Sequence, residues 1–251
     1  MTSQHRLLLL GATGETGKQA LSAALSDSRV SHVLTFGRRA PTLDTSTPGS
    51  TKVTHSSLDF DALLKEGQAG GPETTKLRDA QADSVLIALG TTRASAGSAE
   101  AFERIDREYV LSAAKAARRE DKPDQRVVYV SSTSANSSAW FLYPRSKGLT
   151  EEGLASLGYA STTIFRPGLL VAPGGRGEQR FAESLAVKTI PHLPFGKSSL
   201  WIGTDTLGRS LVDAAVGSPA VKEYGKEEVL KGHKVWAVSN ADALKLAEAG
   251  K

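Results

Sequence analysis

The chain has 251 residues, 39% of them apolar, an ordinary size and composition for one α/β domain with a large buried core. Its 31 basic and 27 acidic residues give a net charge of +4 without a long block of either sign, so we expect no nucleic-acid partner. The absence of cysteine excludes disulfides, thiolate catalysis and cysteine-ligated metal, fits a reducing compartment, and leads us to predict no metal site.

The first apolar run, residues 7–10, ends directly in a glycine motif and is much shorter than the apolar region of a secretory signal. We interpret it as a buried parallel strand. No continuous apolar stretch approaches the length that spans a bilayer, so any membrane association is expected to be peripheral. We therefore expect an intracellular protein.

Apolar runs and helical spacing alternate along the rest of the chain. We predict further strands at residues 33–36, 52–55, 85–89, 127–130, 162–165 and 235–238. Helices are predicted at residues 18–26, 105–119, 149–157 and 241–249, the last with Asn240 as N-cap. This alternation predicts an α/β, Rossmann-type, doubly wound parallel sheet in a single domain, residues 1–251, with a loop-rich substrate cover at 172–203.

The glycine motif Gly11-Ala12-Thr13-Gly14-Glu15-Thr16-Gly17 stands between the first predicted strand and the first predicted helix. Glycine lets the backbone turn tightly and approach a pyrophosphate, whose charge then lies at the positive end of the helix. The spacing GxxGxxG is typical of short-chain dehydrogenases. We therefore predict that a nicotinamide dinucleotide binds here, through Gly11, Thr13, Gly14, Glu15, Thr16 and Gly17.

The same residues also resemble a phosphate-binding P-loop that ends in Gly17-Lys18. A P-loop places Ser or Thr after the lysine to hold Mg²⁺, whereas this chain has Gln19 at that position. Nucleotide triphosphatase and kinase activities are therefore disfavoured.

The second predicted strand ends in Phe36-Gly37-Arg38-Arg39, where an NAD-specific site would carry an acidic residue for the ribose hydroxyls. Two guanidinium groups instead suit a 2′-phosphate by charge and by geometry, so Arg38 and Arg39 predict NADP(H) as the cofactor. The alternative is a solvated basic pair at a strand end. Asp59, just past the third predicted strand, is a candidate contact to the adenine amino group.

The segment Tyr143-Pro144-Arg145-Ser146-Lys147 follows the fifth predicted strand and the hydroxyl cluster Ser131, Ser132 and Thr133. Tyr143 and Lys147 would share one helical face, where the ammonium would lower the tyrosine pKa and bond the ribose. Ser132 would hold a substrate oxygen, Tyr143 would donate its proton, and the nicotinamide would supply the hydride. A core tyrosine and a surface lysine are the alternative.

Together these motifs resemble the atypical short-chain dehydrogenases close to the Tat-interactive protein 2 oxidoreductase and to related fungal proteins of the mitochondrial outer membrane. The resemblance covers about residues 7–170 and rests on Gly11 to Gly17, Gly37-Arg38-Arg39, Leu89-Gly90-Thr91-Thr92-Arg93, Asp106-Arg107, Tyr143 to Lys147 and Phe165-Arg166-Pro167-Gly168. It implies a Rossmann fold that binds NADP(H) through Gly90, Thr91 and Arg93, with Pro167 and Gly168 beside the nicotinamide carboxamide. It also implies a peripheral location on the mitochondrial outer membrane as the alternative to the cytoplasm.

Two features depart from the family pattern. Ser132 stands eleven residues before Tyr143, closer than is usual, so Ser131 is an alternative for the active-site hydroxyl. Pro144 disfavours helical geometry in the residue before it, so Tyr143 is expected in the first turn of its helix.

The sequence leaves two functions open. In the first, the protein is an NADPH-dependent reductase of a small carbonyl-type substrate. In the second, it is a catalytically weak NADP(H)-binding protein with a membrane or protein partner, peripheral to the mitochondrial outer membrane. Turnover of NADPH separates the two.

Overall fold

The computed structural model describes residues 4–44, 46–173 and 200–250. The strands in these ranges are β1 His5–Leu10, β2 Val30–Gly37, β3 Val53–Ser57, β4 Ser84–Ile87, β5 Arg126–Val130, β6 Ser161–Arg166, β7 Leu169–Val171, β8 Trp201–Gly203, β9 Lys226–Leu230 and β10 His233–Ser239. The α-helices are α1 Glu15–Ser26, α2 Phe60–Glu66, α3 Pro72–Asp79, α4 Arg93–Ala96, α5 Ala99–Glu103, α6 Tyr109–Ala117, α7 Leu142–Ala155, α8 Thr204–Ala215, α9 Ala220–Tyr224 and α10 Asn240–Ala249. A 3₁₀ turn precedes β3 at Ser50–Lys52, and a π-helical turn joins α5 to α6 at Arg104–Glu108.

The main sheet has eight strands in the order β3-β2-β1-β4-β5-β6-β10-β9. Its neighbouring strands run parallel, except that the edge strand β9 is antiparallel to β10. The order reverses between β1 and β4, and a doubly wound sheet binds its ligands at such a switch point. Strands β7 and β8 form a separate parallel pair. The predicted fold class, a Rossmann-type sheet in one domain, is confirmed.

Strand β1 lies in the middle of the sheet, and its four leucines are completely buried because helices cover both faces. Leu7 and Leu9 join a core cluster with residues of α1 and α8. Leu8 and Leu10 join the opposite cluster, with residues of α2, α3 and α6. Alternate side chains of a strand point to opposite faces, so a strand buried on both sides needs an unbroken apolar run.

Helices α1 and α8 pack against each other in direct backbone contact. A Cβ added at Gly208 would lie 2.7 Å from the carbonyl carbon of Gln19 and 2.8 Å from the backbone nitrogen of Ala20. Glycine therefore allows α8 to approach closely and to hold α1, whose first turn carries the glycine motif, against the sheet.

Several predicted boundaries were wrong. The C-terminal helix begins at Asn240, and its N-cap is Ser239, whose hydroxyl accepts a hydrogen bond from the Asp242 N–H. The helix predicted at residues 149–157 begins already at Leu142, because a proline in the first turn removes no intrahelical hydrogen bond. The helix predicted at residues 105–119 is interrupted by the π-helical turn.

The C-terminal part also differs from its prediction. Residues 174–199 of the predicted cover lie outside the described residues, and Trp201–Gly203 forms a strand where loops were expected. Strand β9 was not predicted because its first residues are Lys226, Glu227 and Glu228, charges that suit an edge strand. In the part of the chain that is described, no helix combines the length and apolar character needed to cross a bilayer.

Candidate functional site

Two glycines shape the turn between β1 and α1. Gly11 has a φ of 87°, in the left-handed region, and a Cβ there would lie 2.5 Å from the carbonyl oxygen of Ala88. A Cβ at Gly17 would lie 2.0 Å from the carbonyl oxygen of Gly11. The turn therefore folds tightly against the start of α1 and the end of β4, at the carboxyl edge of the sheet.

The start of α1 is open to an anion. Gly14 is the N-cap and provides no side-chain hydrogen bond to the first turn. Thr13, Gly14 and Glu15 are exposed, whereas Thr16 and Gly17 are buried. Backbone N–H groups at an uncapped helix start carry partial positive charge and bind phosphate. The structure thus brings the predicted pyrophosphate residues together in one cradle that fits such a group.

Arg38 and Arg39 follow β2 beside this cradle and are both exposed. Neither guanidinium forms an ion pair or hydrogen bond with the described residues. Arg39 borders two cavities that share Ala12 and Thr13, one of about 440 Å³ and one of about 70 Å³. Arg38 borders the smaller cavity. Next to the glycine turn, the carboxyl edge of the sheet therefore carries two guanidinium groups that have no ion-pair partner in the part of the chain that the structure describes.

Asp59 is the N-cap of α2. Its Oδ1 accepts hydrogen bonds from the N–H groups of Asp61 and Ala62, both at 3.0 Å. The smaller cavity is bordered by the neighbouring Phe60 and by His55. The Asp59 carboxylate thus has a structural role, and its contact with an adenine amino group stays a prediction.

The residues after β4 reach the same edge, because β4 pairs with β1. Gly90 contacts a buried ion pair: a Cβ there would lie 3.4 Å from Oδ1 of Asp106 and 3.7 Å from Nζ of Lys147. Thr91 is partly buried, and Arg93 is exposed in the first turn of α4. Gly90 therefore lies next to the lysine, whereas cofactor contacts from Gly90, Thr91 and Arg93 stay predictions.

Lys147, on α7, is only 5% exposed, and two buried groups hold its ammonium. Nζ donates a hydrogen bond to the Tyr129 hydroxyl at 3.0 Å and lies 3.0 Å from Oδ1 of Asp106. Tyr129 and Asp106 are both 0% exposed. The Ser146 hydroxyl donates to the other Asp106 oxygen at 3.4 Å. The alternative of a surface lysine is therefore wrong.

Polar and charged neighbours keep this lysine protonated. Burial alone lowers the pKa of Lys147, but its electrostatic interactions with Tyr129, Asp106 and Tyr143, together with its hydrogen bond to Tyr129, raise that pKa above its ordinary value overall. For the Tyr129 phenol, burial acts in the other direction and is the largest cause of its raised pKa. At neutral pH the cluster therefore contains an ammonium beside an un-ionised phenol.

Tyr143 lies in the first turn of α7, as its following proline predicts. Its side chain is partly open to solvent, and its ring is tilted against Phe102 with 6.1 Å between ring centroids. Tyr143 influences the pKa of both Lys147 and Tyr129. The phenol thus combines access to solvent with proximity to the buried lysine.

The serine-rich loop, residues 131–138, packs directly on α7. A Cβ at Gly148 would lie 2.1 Å from the backbone nitrogen of Ser137, so loop backbone and helix backbone are in contact. The Asn136 N–H donates to the carbonyl oxygen of Pro144 at 2.9 Å. These contacts fix the loop relative to the first turn of the helix.

The two candidate serines differ in their partners. The buried Ser131 hydroxyl donates to Oε1 of Glu151 at 2.5 Å, and Glu151 also binds Arg166 at 2.7 Å. Ser132 is partly exposed, and its hydroxyl forms a hydrogen bond with the Ser134 hydroxyl at 3.0 Å. Ser131 therefore belongs to a buried ionic network, whereas Ser132 presents an accessible hydroxyl.

Pro167 and Gly168 form a fixed turn after β6. The carbonyl oxygen of Pro167 accepts a hydrogen bond from the Thr133 N–H at 3.0 Å. The Gly168 N–H donates to Oδ1 of Asn240 at 2.9 Å, and Nδ2 of Asn240 donates to the carbonyl oxygen of Trp201 at 3.0 Å. The turn stands at the carboxyl end of its strand, and its contact with a nicotinamide carboxamide stays a prediction.

The sequence analysis gave Tyr129 no role, named Asp106 only as part of the family resemblance, and assigned Asn240 to an N-cap instead of to this turn. Two weak signals were present: a tyrosine in the middle of the apolar strand β5, and an aspartate within a helical segment. Buried polar residues usually have a partner, but the partners here come from other segments. The sequence alone could not identify them.

Comparison with curated proteins shows relatives along almost the whole chain. "Protein fmp52, mitochondrial" of Emericella nidulans is 34% identical over 241 residues, which cover 94% of this chain and 96% of that protein. "Protein FMP52, mitochondrial" of Candida albicans is 34% identical over 241 residues, with 95% and 96% coverage. No family model matches the chain.

Comparison with solved structures shows the same fold at low identity. A short-chain dehydrogenase/reductase from Saccharomyces cerevisiae is similar with a TM-score of 0.65 at 14% identity, covering 97% of this chain and 98% of that one. WbmH from Bordetella bronchiseptica, solved in complex with NAD⁺, has a TM-score of 0.62 at 15% identity, covering 98% and 80%. The chain therefore belongs to the FMP52 family of proteins and has the fold of the short-chain dehydrogenases.

Proposed function

We propose that this protein binds NADP(H) at the carboxyl edge of its sheet and uses it to reduce a small carbonyl-type substrate. The observation that carries the proposal is the pair of exposed arginines beside an uncapped glycine turn, which have no ion-pair or hydrogen-bond partner among the described residues. A 2′-phosphate would offset the charge of Arg38 and Arg39, and a pyrophosphate would occupy the cradle at the start of α1. The NAD⁺ bound by WbmH supports a dinucleotide in this fold.

The cofactor would supply a hydride, and the chain would supply the proton and the positioning. Ser132 would donate a hydrogen bond to the substrate oxygen through its accessible hydroxyl. Tyr143 would donate its proton to the substrate oxygen while hydride transfer gives that oxygen negative charge. Lys147 would remain protonated because its pKa is raised. It would donate a hydrogen bond from a fixed position, because Tyr129 holds its ammonium in place.

The second candidate function is a binding role. Trp140 and Phe141, which directly precede α7, are 90% and 75% exposed. Adjacent exposed aromatic side chains often contact a protein or a membrane interface. In this role the protein would be a catalytically weak NADP(H)-binding partner, peripheral to the mitochondrial outer membrane. The names of its relatives support a mitochondrial location, whereas the outer membrane and kinship with the Tat-interactive protein 2 oxidoreductase are part of this proposal.

The first experiment is a fluorescence titration of the purified protein with NADPH and with NADH. We expect Arg38→Ala/Arg39→Ala to weaken NADPH binding by at least roughly 150-fold, as two charge-assisted hydrogen bonds would predict, and to leave NADH binding unchanged. Arg209→Ala is the control, because Arg209 is exposed on α8 and pairs with Asp205. If neither nucleotide binds, the dinucleotide proposal fails.

The second experiment separates the two functions. NADPH consumption is followed with a panel of aldehydes and ketones, using wild type and Tyr143→Phe. Turnover that falls at least about 100-fold in the variant supports the reductase, because a positioned acid contributes roughly that factor or more. Tight NADPH binding without any turnover supports the binding role instead.

A further inference from the structure

Glu151 lies at the centre of a buried ionic network beside α7. The residue is 2% exposed, and its two carboxylate oxygens face the guanidinium of Arg166. Nη2 donates to Oε2 at 2.7 Å, and Nε donates to Oε1 at 3.1 Å. Oε1 also accepts a hydrogen bond from the buried Ser131 hydroxyl, at 2.5 Å. A buried carboxylate needs a counter-charge and hydrogen-bond donors in place of water, and these two partners provide them.

The two partners come from the carboxyl ends of two neighbouring strands. Ser131 directly follows β5, and Arg166 is the last residue of β6. The strands pair in parallel up to Val130 and Phe165, and the Ser131 N–H extends that pairing by donating to the Phe165 carbonyl oxygen at 2.8 Å. Glu151 therefore joins α7 to both strands at the carboxyl edge of the sheet, outside which such folds bind their ligands.

Each partner is followed directly by a part of the candidate site. Ser132 comes after Ser131, and the turn Pro167–Gly168 comes after Arg166. The two segments also contact each other, because the Thr133 N–H donates to the carbonyl oxygen of the proline in that turn at 3.0 Å. A change in the position of either partner is therefore transmitted to the site through a single peptide bond.

The same carboxylate fixes how α7 faces the sheet. Tyr143, Lys147 and Glu151 are spaced four residues apart, so they follow one another along one side of the helix. Lys147 and Glu151 are both buried. Arg166 is held in addition from the edge strand β9, where Glu228 accepts a hydrogen bond from Nη1 at 2.9 Å. The ion pair thus ties the helix that carries Tyr143 to strands β6 and β9.

We propose that Glu151 and Arg166 are positioning residues. Their ion pair sets the spacing between three groups of the candidate site: the Ser132 hydroxyl, the turn Pro167–Gly168 and the first turn of α7. This inference rests on the proposed function, because that function assigns substrate and cofactor contacts to these groups. An arginine and a carboxylate that share two hydrogen bonds have a narrow range of geometries. Such a pair therefore fixes a spacing more closely than a single contact does.

The first test compares two ligands that differ at the nicotinamide end. Adenosine 2′,5′-bisphosphate represents the adenosine half of NADPH and lacks the nicotinamide. In calorimetric titrations of Glu151→Gln, we expect NADPH binding to be weakened by roughly 5- to 10-fold, the effect of about one lost hydrogen bond at the nicotinamide end. Binding of the bisphosphate should be unchanged. Equal weakening of both ligands, or no weakening of either, overturns the proposal.

Asp213→Asn is the matched control, because it also removes a buried carboxylate that pairs with an arginine. Oδ1 of Asp213 lies 2.6 Å from Nη2 of Arg29. Arg29 follows the carboxyl end of α1, which is the end opposite to the glycine turn. We expect both variants to be less stable than wild type in chemical denaturation, and only Glu151→Gln to lose NADPH affinity. If the two variants lose stability alike and both bind NADPH like wild type, the role of Glu151 is structural and the proposal fails.

A second test measures amide hydrogen exchange and needs no ligand. The Thr133 N–H bonds to the turn after β6, so its exchange reports how firmly the loop and the turn are held together. Ser131→Ala removes one hydroxyl and leaves the ion pair intact, so this variant should fold. We expect exchange at Thr133 to be at least roughly 10-fold faster in Ser131→Ala and in Glu151→Gln, as loss of a hydrogen bond to a charged group predicts. Asp213→Asn should leave it unchanged.

The exchange measurement separates this inference from the proposed function. Unchanged exchange at Thr133 in Ser131→Ala overturns the inference, even if Glu151→Gln does not fold. If the wild type binds neither NADPH nor the bisphosphate, the proposed function fails, and the exchange rates still decide whether the network around Glu151 holds the spacing of these segments.

Discussion

The two ends of the candidate site are built in different ways. At the glycine turn, backbone atoms provide the binding surface, and the nearby cations of Arg38 and Arg39 are exposed and unpaired among the described residues. Around Lys147, side chains provide the surface, and the cation is buried and doubly partnered. The cations at the first end have no ion pair with the described residues, whereas the cation at the second end has one with Asp106.

This difference determines how each end should respond to substitution. A surface made of backbone fails when a β-carbon enters it, whatever the charge of the side chain. A cluster of buried ionic partners is destabilised when one partner is removed or displaced. Substitutions of single glycines and of single partners therefore test the two ends separately.

The largest effect is expected from Gly17→Ala, because its Cβ would lie 2.0 Å from the Gly11 carbonyl oxygen. We expect a loss of about 3 kcal/mol in the free energy of unfolding, together with loss of measurable NADPH binding. Chemical denaturation and fluorescence titration measure the two. Gly14→Ala is the control, because its Cβ would meet that same oxygen at an ordinary 3.5 Å. Equal destabilisation in both variants would contradict this account.

At the other end, Gly148→Ala should push the serine-rich loop away from α7. Its Cβ would lie 2.1 Å from the backbone nitrogen of Ser137, and we expect a loss of about 2 kcal/mol in the free energy of unfolding. Gly153→Ala, in the same helix, is the control: its Cβ would meet only the flexible Leu111 side chain, and alanine favours helix. A Gly148→Ala protein as stable as wild type would refute the close contact.

The same contrast explains what the sequence could predict. The glycine turn is local, because strand, turn and helix follow one another within residues 5–26, and each part has its own pattern. The central strands were predictable because parallel strands covered on both faces are apolar runs. The edge strand β9 and several short helices lack such runs, and they were not predicted.

The lysine cluster shows why the rest of the site could not be predicted. Tyr143 and Lys147 are four residues apart and share a motif, but Asp106 and Tyr129 reach the lysine only through the packing of α7 against two other segments. Choosing between Ser131 and Ser132 likewise required the position of Glu151. Long-range pairing of buried polar groups leaves no periodic pattern in the chain.

Asn240 provides a smaller test, at the turn that Pro167 and Gly168 form after β6. Asn240→Ala leaves the Gly168 N–H and the Trp201 carbonyl oxygen without the bonds that the amide makes at 2.9 and 3.0 Å. We expect a loss of about 1–2 kcal/mol in the free energy of unfolding. Asn240→Asp keeps the acceptor and should lose less. If both variants match wild type in chemical denaturation, the amide does not hold this turn.

The smallest effect is expected from His5, at the amino-terminal end of β1 and away from both ends of the site. Acidification should change the free energy of unfolding through this residue and not through the site. The His5 ring is buried against the Ser84 hydroxyl at 2.8 Å. Burial is the main cause that lowers its pKa, with Arg126 and Lys122 acting in the same direction and Asp83 and Asp124 opposing them. The raised pKa of Lys147 keeps its charge constant at mildly acidic pH, so this lysine adds no such dependence.

The sign of the effect follows from proton binding. Below about pH 6.5 the unfolded His5 takes up a proton that the folded ring does not. The free energy of unfolding should therefore fall as pH decreases from about 6.5 towards the folded pKa. His5→Gln should flatten this slope in chemical denaturation, whereas His32→Gln, on the exposed surface of β2, should leave it unchanged. A slope that persists in His5→Gln would place the titrating group elsewhere in the chain.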